Sequence, residues 1–196
     1  MTASATSGRI AAGVRLQLPK AWLEVDPRAT DLDAEIVRAL TAHGVDTTDE
    51  AALLQTVAPL SVELRRLSAH VDVLLAGFFT EFVDGCSEGV QVFTANVIVA
   101  LSHHADGNVR GEIEREARAA GTEIGMHKLS GGPALTTWGR VHLPHTGTEA
   151  FTRRFHIPVP GLDRIAVLAF VTPNVDFAAE FDWLFTTIAD TFRLVG

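Results

Sequence analysis

A chain of 196 residues, 47% hydrophobic and 20% charged, fits the roughly 100–200 residues of one domain and lies outside the composition of disordered chains. Its net charge of −8 opposes a phosphate backbone, and no basic run exceeds Arg65-Arg66 or Arg153-Arg154, so nucleic acid is excluded as a general partner. The longest largely apolar runs, Val71–Phe79 and Val97–Leu101, fall short of the about 20 residues that span a bilayer, which predicts no membrane insertion.

The lone cysteine, Cys86, cannot close an internal disulfide, and Met1–Gly8 is small and polar rather than leader-like. Together these predict a reducing, cytoplasmic setting. Residues 1–12 are expected to form a flexible N-terminus and 13–196 a single α+β domain.

Val14, Leu16 and Leu18 alternate with Arg15 and Gln17, the period-2 signature of a half-buried strand. Pro19 ends it, and Trp22 is expected to pack back on the core. Thr30 and Asp33 form a capping pair before a short helix carrying Leu32, Ile36, Val37 and Leu40; Thr47 and Glu50 repeat that signal before a helical stretch reaching about Leu67, which Pro59 kinks. Val73–Val83 and Val90–Leu101 then read as a β-hairpin closed by the turn-forming run Asp84–Gly89. Asn108 caps the next helix, whose Val109, Ile113 and Ala117 face inward, with Arg110 and Glu114 spaced for a surface pair.

Four more strands are predicted near residues 123–129, 135–143, 151–158 and 164–172. The joints Ser130–Pro133, Pro144–Gly147 and Pro160–Asp163 are too short for a parallel crossover, so these strands must be antiparallel neighbours. In the last segment Phe177, Phe181, Leu184, Phe185, Ile188 and Phe192 fall on one face of a helix predicted over 177–194, a stripe that needs a large apolar surface to cover it.

Chemistry is sparse. His127, His142 and His156 lie in three predicted strands, with His103, His104 and His145 near strand ends. No His-Glu-x-x-His or Cys-x-x-Cys spacing accompanies them, so no metal site is assigned. Cys86 lies in a turn flanked by Asp84 and Glu88, neighbours that raise a thiol pKa and argue against a nucleophile. Ser130-Gly131-Gly132 leads into a strand, unlike the nucleophile elbow, which leads into a helix. Phosphate loops and dinucleotide fingerprints are missing from the sequence, and neither catalytic residues nor a cofactor are assigned.

Alternation places Trp138, Arg140 and His142 on one face of their strand, and Arg154 and His156 on one face of the next. If the register joins the two sets, they form an Arg/His/Trp patch suited to an acidic protein partner; a solvated sheet face is the competing reading. Phe78, Phe79 and Phe82 occupy both faces of one strand, which fits either a strand between helical layers or a homodimer.

An early strand ending in Leu18-Pro19-Lys20-Ala21-Trp22, helices before the sheet, successive antiparallel strands and a last helix closing in Ile188-Ala189-Asp190-Thr191-Phe192-Arg193 resemble the Mog1/PsbP-like superfamily. The resemblance implies an α/β/α sandwich: a central, mainly antiparallel sheet of about seven strands, with the C-terminal amphipathic helix packed on it. It also implies a non-catalytic role in binding other proteins, without transferring any functional residue. The expectation is a non-enzymatic cytoplasmic interaction or accessory module. Two alternatives stand beside it: a small-ligand-binding protein with a pocket between sheet and terminal helix, and a metal-dependent hydrolase using the sheet histidines.

Overall fold

The computed structural model describes residues 13–42, 61–62, 64–86, 89–103, 109–143 and 147–195. In chain order, β1 (Gly13–Arg15), β2 (Trp22–Val25) and α1 (Leu32–Ala42) precede the long strands β3 (Asp72–Cys86) and β4 (Gly89–His103). There follow α2 (Val109–Ala120), β5 (Glu123–Leu129), β6 (Gly132–His142), β7 (Glu149–Pro158) and β8 (Arg164–Thr172). A 3-10 turn (Val175–Phe177) leads into α3 (Ala178–Asp190), and β9 (Arg193–Val195) closes the chain.

The sheet is antiparallel throughout, in the order β2-β3-β4-β8-β7-β6-β5, with β1 and β9 forming a separate two-stranded ribbon. As the short joints require, β5, β6, β7 and β8 are sequential antiparallel neighbours. The chain is thus an α+β protein in which helices cover both faces of a seven-stranded sheet.

Period-2 patterning decides which residues meet which layer. Leu32, Ile36 and Ala39 of α1 close over Val25 and Ala76, joined by Leu64. On the same face, α2 buries Ile113 and Ala117 against the β5–β7 end of the sheet. The opposite face presents Val97, Val99, Leu168, Phe170, Phe151 and Phe155 to Phe181, Phe185 and Ile188 of α3. The phenylalanines pack as rings: Phe170–Phe185 at 4.9 Å, Phe181–Phe185 at 5.5 Å and Phe151–Phe185 at 6.4 Å between centroids. A polar knot holds the entry to this helix, where Thr172 Oγ1 donates to Thr94 O at 2.6 Å and the Thr94 amide donates to Asn174 Oδ1 at 2.8 Å.

Several local expectations change. The alternating stretch 14–18 is strand only through Arg15, and it joins the C-terminal ribbon rather than the main sheet. Trp22 opens an edge strand and stacks on Phe79 at 5.8 Å, a strand too short for periodicity to reveal. Asp31, not Thr30, caps α1, accepting the Ala34 amide at 3.0 Å; Asp33 pairs instead with Arg65 at 3.3 Å. Strand pairing runs to Cys86 and resumes at Gly89, further than the turn-forming run suggested. The terminal helix stops at Asp190, and Phe192 is buried in the bend before β9 rather than by helical periodicity. The expected N-terminal segment 1–12, Pro59 and the Asn108 cap lie outside the described residues.

Phe185→Ala is expected to lower stability by about 3–5 kcal/mol, read by urea denaturation. Trp183→Ala, on the outer face of the same helix and 71% exposed, should change it by no more than about 0.5 kcal/mol.

Candidate functional site

The five residues singled out in the sequence do not form one patch. β6 and β7 pair with Trp138 opposite Arg153 and Thr137 opposite Arg154, and directly opposed residues of an antiparallel pair share a face. Trp138, Arg140 and His142 therefore lie on the α3 face, and Arg154 and His156 on the α2 face. Arg140 is half-exposed and donates to Val175 O at 3.3 Å. His142 is exposed. Arg154 is exposed beside α2, and His156 is buried beneath it. The register fell one residue away from the arrangement that would have joined them.

The histidines divide in the same way. His127 sits on the α3 face, edge-on to Phe155 at 6.0 Å, while His156 occupies the other face. Among the described residues no group of three or more His, Cys, Asp or Glu side chains is placed to hold a metal ion. The side chains of Cys86, His103, His104 and His145 lie outside the described residues.

Arg153, which the sequence reading passed over, is the unexpected residue. It is 6% exposed and lies between Phe151 and Phe155 on the face that α3 covers. Its guanidinium carbon stands 4.6 Å from the Trp138 ring centre and 5.1 Å from that of Phe155, and its Nη1 lies 3.3 Å from Asp182 Oδ1. Burial pushes its pKa below the usual arginine value and Asp182 pulls it back up; a guanidinium is a cation at neutral pH. Aromatic faces and one carboxylate thus replace its lost hydration. The signal was an arginine on the same alternating face as Phe151, Phe155 and Ile157.

A concavity lies past the C-terminal end of α3. It is a cleft of about 550 Å³ enclosed by the β5–β6 hairpin tip, the β7–β8 turn and β9. Leu129, Ile157, Val159 and Phe192 are its buried walls, with Leu162 and Leu194 completing the apolar lining. Among the described residues that line it, Arg193 is the only charged one. Between the sheet and the terminal helix itself there is a smaller hollow of about 220 Å³, lined by Phe79, Phe93, Phe177, Phe181 and Leu184, while the larger cleft opens beyond the helix end.

Two contacts fix the shape of the cleft. Ser130 at the hairpin tip donates its amide to Asp190 Oδ1 and its hydroxyl to Asp190 Oδ2, both at 2.6 Å. Gly131 lies against the C-terminal bend, where a Cβ would be in ordinary van der Waals contact with Phe192 O at 3.4 Å. An acidic residue in the last turn of a helix opposes the macrodipole, so Asp190 is better explained by its grip on Ser130 than by helix propensity. Arg193 Nη1 donates to Asp190 O at 2.9 Å and to Phe192 O at 2.6 Å, which holds the guanidinium against the C-terminal bend and leaves Nε and Nη2 uncommitted to any described partner.

No protein-family profile matches the chain, and no curated protein is detectably similar to it.

Two outcomes follow. Ser130's hydrogen bonds hold the Asp190 carboxyl below the usual range, against a weaker opposing push from burial. A carboxylate with a lowered folded pKa stabilises fully above its unfolded value of about 3.9 and loses that contribution as pH falls through the folded pKa. The melting-temperature gap between wild type and Asp190→Asn should therefore narrow as pH drops below about 4. For the buried pair, Asp182→Asn should destabilise more than Arg153→Met in denaturant titrations, because the first strands a buried cation and the second removes it.

Proposed function

We propose that the protein binds a small amphipathic anion, an apolar body ending in a carboxylate or similar acidic group, without transforming it. The observation that carries this reading is the cleft at the end of α3. Its volume of about 550 Å³ falls within the roughly 300–1,000 Å³ of small-molecule sites. Apolar side chains from three separate segments line it, and Arg193 is the one charged residue among its described lining residues.

That composition fits recognition rather than catalysis. General acid–base chemistry needs a titratable group positioned at the reacting atom, and among the described residues the lining offers an arginine alone, which stays protonated. The arginine supplies the specificity. Apolar walls accept any chain of suitable girth, whereas a charge-assisted hydrogen bond distinguishes an acid from an alcohol or amide. Pro158, Pro160 and the β7–β8 turn, closed by the Val159 amide donating to Arg164 O at 3.0 Å, supply a stiff wall that needs little ordering on binding.

A cytoplasmic accessory module for a protein partner is the second reading. The Arg/Trp/His patch no longer supports it, and Trp183, 71% exposed on the outer face of α3, is the observation in its favour.

Titration calorimetry with a series of straight-chain carboxylates and the matching alcohols tests the first reading. Saturable binding of one carboxylate per chain is expected, tightening with chain length until the cleft is full. Arg193→Gln should weaken the acid by about tenfold, the lower end of what a charged hydrogen bond contributes, and leave the alcohol unchanged. No binding of any homologue at millimolar concentration would overturn it.

A further inference from the structure

β5 ends the sheet: it is bonded to β6 on one side, and no described strand lies on the other. The opposite edge, β2, is only four residues long, a common way of blunting an edge. β5 has seven residues paired to β6 without a register shift. It contains no proline, and its formal charges stand near the ends, at Glu123 and Lys128. Between them, Ile124 and Met126 are 38% and 61% exposed. Natural sheets rarely leave such an edge unguarded.

Its hydrogen-bonding polarity can be read from one contact. The Gly125 carbonyl turns toward β6, where it accepts from Thr136 Oγ1 at 3.3 Å. Successive residues of an antiparallel strand direct their backbone groups to alternate neighbours. Those of Ile124 and Met126 therefore point away from β6, into the open edge.

We propose that β5 pairs with β5 of a second copy of this chain, antiparallel about a two-fold axis at Gly125, so that the two sheets become continuous. A two-fold axis normal to a sheet keeps every residue on its own face, so only registers that set one residue opposite itself are allowed. With Gly125 at the axis, Ile124 of each copy faces Met126 of the other, and Glu123 faces His127. Both exposed apolar side chains are then covered, the outward backbone groups of Ile124 and Met126 find partners, and a carboxylate meets an imidazole. Centring on Met126 would set Ile124 against Lys128, and centring on Ile124 would set Met126 against Thr122; each leaves an apolar side chain against a polar one.

The axis position has further support. A Cβ on Gly125 would lie 3.0 Å from the Trp138 ring, so that indole already covers the strand at the point where the copies meet. Across the axis the two Trp138 rings flank the seam on the α3 face. An aromatic ring covering a strand glycine stabilises pairing at a position that otherwise has no side chain to pack.

Sedimentation analysis of the full chain over a wide concentration range tests the pairing. A dimer is expected, and Ile124→Lys or Met126→Lys, both at exposed positions, should raise its dissociation constant at least tenfold without altering the circular dichroism spectrum. A spin label on Lys128→Cys, with Cys86→Ser, reads the register: the two labelled positions should be about 20 Å apart along the strands, against about 14 Å for an axis at Met126 and about 27 Å for one at Ile124. A chain that stays monomeric at millimolar concentration overturns the proposal. So does a dimer indifferent to both lysine substitutions, or a label separation matching another axis.

Discussion

Phe185 is the side chain on which the rest of the structure depends. It is fully buried and touches rings from the sheet and from its own helix, with Phe170 at 4.9 Å and Phe181 at 5.5 Å. Aromatic rings bury more area than aliphatic side chains and prefer particular mutual orientations, so this cluster sets both the height and the rotation of α3 over the sheet. Once α3 is placed, its end is placed too. Asp190 then meets Ser130, Arg193 folds back on the last helical carbonyls, and β9 is delivered to β1. The cleft at that end is a consequence of where the phenylalanines put the helix.

Arg153 shows the same interface from its expensive side. A guanidinium among phenylalanines forfeits hydration worth several kcal/mol, and a single ion pair rarely returns all of it. Here the indole of Trp138, the ring of Phe155 and the carboxylate of Asp182 share that compensation. The arrangement works only with β6, β7 and α3 all in place, which ties the register of two strands to the seating of the helix. A one-residue slip would turn Thr152, Arg154 and His156 toward α3 and leave Arg153 on the other face, away from Asp182.

The two surfaces with functional promise have different origins. The cleft arises where three chain segments converge at one end of the sheet, each held by prolines or by specific hydrogen bonds. The open edge of β5 arises because the sheet stops there, with Ile124 and Met126 still exposed. Local sequence does not announce either surface: Ser130-Gly131-Gly132 reads as an ordinary turn, and Glu123–Leu129 as an ordinary strand.

Period-2 and period-3.6 patterning, with the turn residues between, determined by themselves that the chain forms a β-rich α+β fold, that its last four long strands are antiparallel neighbours, and that its terminal helix is buried on one face. Those properties are local: each follows from side-chain spacing within one segment and the length of the joint to the next. The tertiary structure alone decided that Trp138 faces Arg153 rather than Arg154, that His127 and His156 lie on opposite faces, and that the terminal helix ends early enough to leave a cleft and a ninth strand. Alternation tells which residues of a strand share a face, but not which face a neighbouring strand presents. That choice moves every side chain with a shift of one residue, and it is made by long-range packing, here of Phe151, Phe155 and Phe170 beneath α3.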